Sequence, residues 1–174
     1  MNFKVKFDNA AMQKVLDKVE KLSNPLDQQT AKKIGADVLD EMKDGISRGK
    51  SPISGNGNFE AYRGTYRKRI QRYGYVHTED GKFSKRLRPV NLEVSGKFLS
   101  ALKATVTKVK SGYGVVIGFG DRKNQKIEEG HRKGANGQAE RPVIPQGGEQ
   151  FSRNIQEVYL DGINEKIASI AKEK

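Results

Sequence analysis

An α+β fold, with a small and mainly antiparallel sheet packed by two long amphipathic helices, follows from two features of the sequence. Ala31, Ile34, Val38, Leu39, Met42 and Ile46 recur at steps of three and four, and so do Phe151, Ile155, Val158, Tyr159, Ile163, Ile167 and Ile170. These are two apolar stripes at helical period. Between them, Thr105 to Val109 and Tyr113 to Phe119 are strand-like runs joined by the turn signal KSGYG. A third feature, a long basic stretch without period, separates the first helix from that hairpin. The chain of 174 residues suits one domain with a sizeable core and is short for two. We therefore expect a single α+β domain over 1–174, with residues 49–90 an extended arm or loop inserted in it.

The elements follow in order. Phe3, Val5 and Phe7 alternate with Lys4 and Lys6, the period of a half-buried strand. Met12, Val15, Leu16, Val19 and Leu22 form a short amphipathic helix. In SNPLD, Asn24 can cap the first long helix, Pro25 suits its first position and Asp27 its first turn. From Gly45 to Pro89 no period is sustained, which is a longer irregular stretch than a compact domain usually carries. It reads as an arm or hairpin with a short helix over 60–71 and a turn at Asp80-Gly81. Ser95 can cap a helical turn that places Phe98, Leu99 and Leu102 on one face. Val115, Ile117 and Phe119 share one face of the second strand, NQKIEEGHRKG suits one or two helical turns stopped by Gly130 or Gly134, and RPVIP is extended. The last helix is interrupted only by Gly162. The order is β-α-α-arm-α-β-β-(α)-β-α. The expected core joins Ile34, Val38, Leu39 and Met42 to Ile155, Val158 and Ile167 against Val115, Ile117 and Phe119.

Composition narrows the function. Hydrophobic residues make up 34% and mean hydropathy is −0.77, polar enough to predict that part of the chain orders against a partner. The net charge of +12 favours nucleic acid or acidic protein surfaces. Residues 61–88 hold nine basic and two acidic side chains, more than half of that excess. The absence of cysteine excludes disulfides, thiolate metal sites and thiol nucleophiles. No apolar run approaches the ~18 residues of a membrane span, and the N-terminus has no signal-peptide core. The default expectation is a cytosolic protein without a membrane partner.

No constellation suits catalysis. His77 stands beside Glu79 and Asp80 without the second histidine or cysteine a divalent site calls for, and reads as a solvated loop residue. His131, close to Glu128 and Glu129, reads as a surface turn or interface contact. No serine has a nucleophile-elbow context, and GFGDRKN lacks the third glycine and following helix of a dinucleotide loop. Catalytic, cofactor and metal residues are therefore all expected to be absent. The candidate site is the basic, tyrosine-rich arm: Tyr62, Arg63, Tyr66, Arg67, Lys68, Arg69, Arg72 and Tyr73, with Lys85, Arg86 and Arg88. Arginine and lysine neutralise phosphates and tyrosine stacks on bases. The same residues also anchor protein interfaces, and composition leaves the two readings even.

Three stretches in fixed order carry a family resemblance. GKSPIS (49–54) follows a long helix and precedes YRGTYRKR; RPVNLEVSGKFLSALKATV spans 88–106; VVIGFGD, KIEEGHRKG and RPVIP fall between 115 and 145, before a long terminal helix. Together, over residues 30 to 170, they resemble the tail-completion and virion-morphogenesis proteins of tailed bacteriophages, the small neck proteins that join head to tail. The resemblance implies a non-enzymatic structural subunit of the virion, made in the host cytoplasm. It would assemble into a ring, hexameric by family analogy, around the DNA passage. Its partners would be copies of itself and the neighbouring connector or adaptor, tail terminator or tail tube, with non-specific contact to genomic DNA. The Ser-Gly-Leu segment, the Ile-Gly-Phe strand, the GHRKG turn and RPVIP would be scaffold. The longer and more basic middle segment departs from the family pattern. The alternative from another class is a sequence-independent nucleic-acid-binding protein acting as a monomer or dimer.

Overall fold

Asp27 starts the helix about which the domain is built. Its backbone is extended (φ −76°, ψ 169°) and its carboxylate accepts from the Thr30 N–H at 2.7 Å, making it the N-cap of α2, Gln28–Ser47. The expected start at Asn24 and Pro25 is thus corrected by three residues, because Asp27 reaches the orphan donor of the first turn. Pro25 and Leu26 instead connect α2 to α1, Asn9–Ser23. The computed structural model describes residues 9–76, 83–85, 87, 88, 90, 92, 97–110 and 112–173. The expected strand at Phe3 to Phe7, the Asp80-Gly81 turn and the Ser95 cap lie outside these residues.

Further along the chain come α3 (Gly64–Tyr73), β1 (Tyr75–Val76), β2 (Phe83–Ser84), α4 (Lys97–Ser100), β3 (Leu102–Val109) and β4 (Gly112–Phe119). They are followed by α5 (Arg122–Arg132), a 3₁₀ turn (Ala135–Gly137) and α6 (Arg153–Lys172). This is the expected α+β class: β3 and β4 form an antiparallel hairpin running from Leu102↔Phe119 to Val109↔Gly112, packed against helices, and β1 pairs with β2 in a minor one.

Helix α2 lies between the β3–β4 hairpin and α6. Ile34, Val38, Met42 and Ile46 are all 5% exposed or less. Two glycines permit the close approach. A Cβ at Gly35 would lie 3.0 Å from Val115 Cγ1 and 3.2 Å from Ala104 Cβ, and a Cβ at Gly162 would lie 2.6 Å from Ile34 Cγ1. The interruption of the last apolar stripe is therefore the point where α6 crosses α2. Val115 and Ile117 are half-buried and Phe119 buried on the expected face, while Val116 points out. Leu39 and Val158 are half-buried at the edge of the core. Ile167, expected in the core, is 37% exposed because α6 turns Ile163 and Ile170 inward instead.

Two further expectations are corrected. RPVIP is extended but joins no strand. The Val143 and Ile144 N–H groups both donate to Glu128 Oε1 of α5 at 3.3 Å, so a side chain takes the place of a neighbouring strand. The arm expected over 49–90 is, for residues 49–74, part of the packed domain. Ile53, Tyr62 and Ile70 are 2–4% exposed within the core, as are Val90 and Leu92 beyond. Backbone bonds from Ser54 N–H to Gln150 O (2.9 Å) and from Ser152 N–H to Pro52 O (2.7 Å) tie the loop to the start of α6.

Gly162→Ala tests the α2–α6 crossing. Helix propensity alone favours alanine by about 1 kcal/mol, whereas a methyl driven into Ile34 should reverse the sign and cost about 1–3 kcal/mol. Urea denaturation measures the difference, and Gly162→Ala together with Ile34→Val should recover part of the loss. A stabilised single variant would show that the helices are not in this contact.

Candidate partner-binding groove

Helix α3 begins without a side-chain cap. Gly64 takes φ 56°, a left-handed conformation suited to glycine, and Arg63 before it offers no capping oxygen. What holds the helix is tertiary. Ile70 is buried at 2% exposure, and the residues before the helix are clamped from the segment after α5. There, Arg63 N–H donates to Gln138 Oε1 at 3.1 Å, and Gln138 Nε2 donates back to the Arg63 carbonyl at 2.9 Å. The Arg141 guanidinium, 1% exposed, donates to the carbonyls of Glu60 (3.1 and 3.0 Å), Ala61 (3.0 Å) and Ala139 (3.2 Å). Its Cζ lies 5.0 Å from the centre of the Tyr62 ring, and Tyr62 meets Tyr66 edge-on at 5.1 Å.

An open groove of about 850 Å³ runs between α3 and α5, with Lys68, Arg69 and Arg72 on one wall and Ile127, Gly130 and His131 on the other. Arg141, Tyr62 and Tyr66 also line it. Burial raises the Tyr66 hydroxyl above its ordinary pKa, opposed by the charges of Arg69 and Arg141. Burial also pushes Arg141 down from the usual guanidinium value. His131 is held at about 4, chiefly by burial and secondarily by Arg141, so at neutral pH its ring is uncharged. That ring packs 5.3 Å from Phe98, which stacks on Phe119 at 4.7 Å.

The eleven candidate residues separate accordingly. Lys68, Arg69, Arg72 and Tyr73 are exposed on the groove; Arg72 lies 5.2 Å from the Tyr73 ring centre. Tyr66 is half-buried, and Tyr62, expected among the partner-contacting residues, is buried in the core. Arg63, Arg67 and Arg88 face a second depression of about 770 Å³ on the other side of α3, where Arg48 joins them; Arg63 is also paired with Glu60. Lys85 is exposed away from both, and Arg86 and His77 lie outside the described residues. His131, expected in a surface turn or an interface contact, is a half-buried residue of α5.

Sequence reasoning missed Arg141 and the network beside it. Glu128, 3% exposed, receives Arg132 Nη2 at 3.5 Å besides the two RPVIP amides. Arg132 continues to Glu149 at 2.9 Å and to the Ile144 carbonyl. The available signals were the i,i+4 spacing of Glu128 and Arg132 and an arginine placed beside Pro142 in an apolar run.

Among the described residues no group of three or more His, Cys, Asp or Glu could hold a metal ion, and no helix is long and apolar enough to cross a membrane. No family model, curated protein or solved structure matches the chain.

Two outcomes test this geometry. Arg141→Met should cost about 3–5 kcal/mol, since the carbonyls of 60, 61 and 139 lose their donor. Arg141→Lys should recover little, lacking the planar fork; amide exchange at 60–63 would report the loosening. For His131, the depressed pKa means that the unfolded chain binds the proton first. Its contribution is complete above pH 6.5 and declines as pH falls toward 4, by roughly 3 kcal/mol in total. His131→Phe should remove that part of the acid sensitivity; an unchanged slope of stability against pH would refute the assignment.

Proposed function

We propose that the chain is a structural subunit of the head–tail junction of tailed bacteriophages. It self-associates into a ring and joins neighbouring neck and tail proteins, with no chemical step of its own. One observation carries the reading beyond the resemblance: the three stretches behind it, remote in sequence, pack together. Tyr62, in the YRGTYRKR that follows the first, lies 5.0 Å from the guanidinium of Arg141 in the third. Phe98 of the second stacks on Phe119 and packs against His131 of the third. The Arg141 N–H then donates to the His131 carbonyl at 2.7 Å. Their convergence supports reading them as one scaffold. The exposed side chains of α3 are left for partners.

The test is particle joining. Heads and tails from an infection lacking this protein should remain separate and should join when the purified chain is added. Changing Lys68, Arg69 and Arg72 together to Gln should reduce joining by tenfold or more while leaving the fold intact. Full joining without the protein would refute the reading. A second reading, sequence-independent nucleic-acid binding, draws on the cations and Tyr73 lining one open groove. Tight, steeply salt-dependent binding of duplex DNA, with no effect on joining, would favour it.

A further inference from the structure

The four cations of α3 lack counter-charges among the described residues. Arg67, Lys68, Arg69 and Arg72 occupy ten helical residues and are exposed, and none has an ion pair among the described residues. Lys68 and Arg72 stand at i,i+4 and Arg69 and Arg72 at i,i+3, like-charge spacings that weaken a helix. With no side-chain cap either, α3 keeps this charge at a cost that an outside anion would relieve.

The chain carries an anionic surface of matching build. Asp37, Asp40, Glu41 and Asp44 of α2 and Asp161 and Glu165 of α6 line a depression of about 540 Å³, with Lys33 the one cation on its wall. Lys33 pairs with Asp37 (3.2 Å) and Glu165 (3.5 Å), and Arg48 with Asp44 (2.7 Å) and Glu41 (3.8 Å). Asp40 and Asp161 have no ion pair among the described residues, so the face keeps a net negative charge. Its acids step along α2 by three and four residues, as the cations do along α3. These steps are about 4.5–6 Å on either helix.

We propose that the α3 face of one copy docks on the acidic α2–α6 face of a second copy. The two surfaces are different, so the contact is heterologous and leaves a free basic face and a free acidic face at the ends of every partial assembly. Net repulsion between copies of charge +12 is screened beyond about 8 Å at physiological ionic strength, which leaves contact-scale complementarity to decide. A nucleic acid would neutralise α3 equally well but would leave the acidic face unmatched; a second copy uses both. This inference rests on the self-associating reading above and specifies its surfaces.

Two full-length variants test it, one with Lys68, Arg69 and Arg72 changed to Glu, the other with Asp37, Asp40 and Asp44 changed to Lys. Circular dichroism checks that both remain folded. By sedimentation at low salt, the wild type should form oligomers and each variant alone should be monomeric. An equimolar mixture should recover oligomers in which the two variants alternate, since the intact basic face of one meets the intact acidic face of the other and the two reversed faces complement each other. Combining all six changes in one chain should restore oligomers. A monomeric wild type, variants that still oligomerise, or a mixture that does not associate would each overturn the pairing. So would loss of duplex DNA binding in the Lys68, Arg69 and Arg72 variant with its oligomers intact. Joining assays on the same samples separate the two levels. Variants that join heads to tails as well as wild type refute the pairing alone, whereas a wild type that never joins them refutes the function while the mixture still decides the pairing.

Discussion

A single buried guanidinium organises the half of the domain that carries the candidate surface. Arg141 is a charge almost entirely withdrawn from water, which is costly unless every donor is used. Here the partners are main-chain carbonyls of residues 60, 61 and 139, with the Tyr62 ring beneath. Only arginine presents several donors in a fixed plane to carbonyls from two separate segments. The chain entering α3 is thereby fixed to the segment leaving α5. Gln138 repeats the same link one step out by bonding both the N–H and the carbonyl of Arg63. A segment of mean polar character, with a glycine-led helix and no cap, is held by these contacts and by Ile70.

The other half depends on close approach. Because Gly35 and Gly162 carry no side chain, α2 can touch the hairpin on one side and α6 on the other. Asp27 secures the same arrangement from the end: besides capping α2 it meets Lys166 of α6 at 2.8 Å, and these contacts, Lys166 first, hold its carboxyl at about 2. At α1, Lys18 donates to the carbonyls of Ala171 and Glu173 at 2.9 and 3.0 Å, a cation placed where a helix C-terminus is negative. With α2 covered on two sides, its acidic residues lie on the remaining outer flank beside α6.

Periodicity made the long helices and the hairpin legible. The apolar stripe of α2 matches the residues buried in it, and the alternation of Val115, Ile117 and Phe119 matches their common face. It failed where side chains replace regular pairing. RPVIP looked like a strand because its residues are extended, yet its amides are satisfied by Glu128, a long-range partner that no local pattern announces. The stretch from 49 to 74 looked like an arm because its buried residues, Ile53, Tyr62 and Ile70, fall nine and eight positions apart. No period connects them, and they are brought together by contacts with Gln138, Arg141 and Gln150. On the candidate surface, the exposure of Lys68, Arg69 and Arg72 followed from composition. The burial of Tyr62 did not, since its anchoring cation lies some eighty residues away.

Arginine therefore serves two opposite purposes around one groove. Arg141 gives up solvent to bind fixed carbonyls and contributes rigidity, whereas the cations of α3 keep their solvent and form no ion pair among the described residues. The first makes the second usable. Exposed side chains on an uncapped ten-residue helix of like charges would sample many orientations if the helix frayed, and ordering them would consume most of what a partner supplies. Clamping the backbone on both sides of residue 63 and burying Ile70 removes the backbone share of that cost before any partner arrives. Only the side-chain share remains to be met on docking. A basic face supported in this way can discriminate by geometry and not by charge alone, which an arm free of the domain could not do.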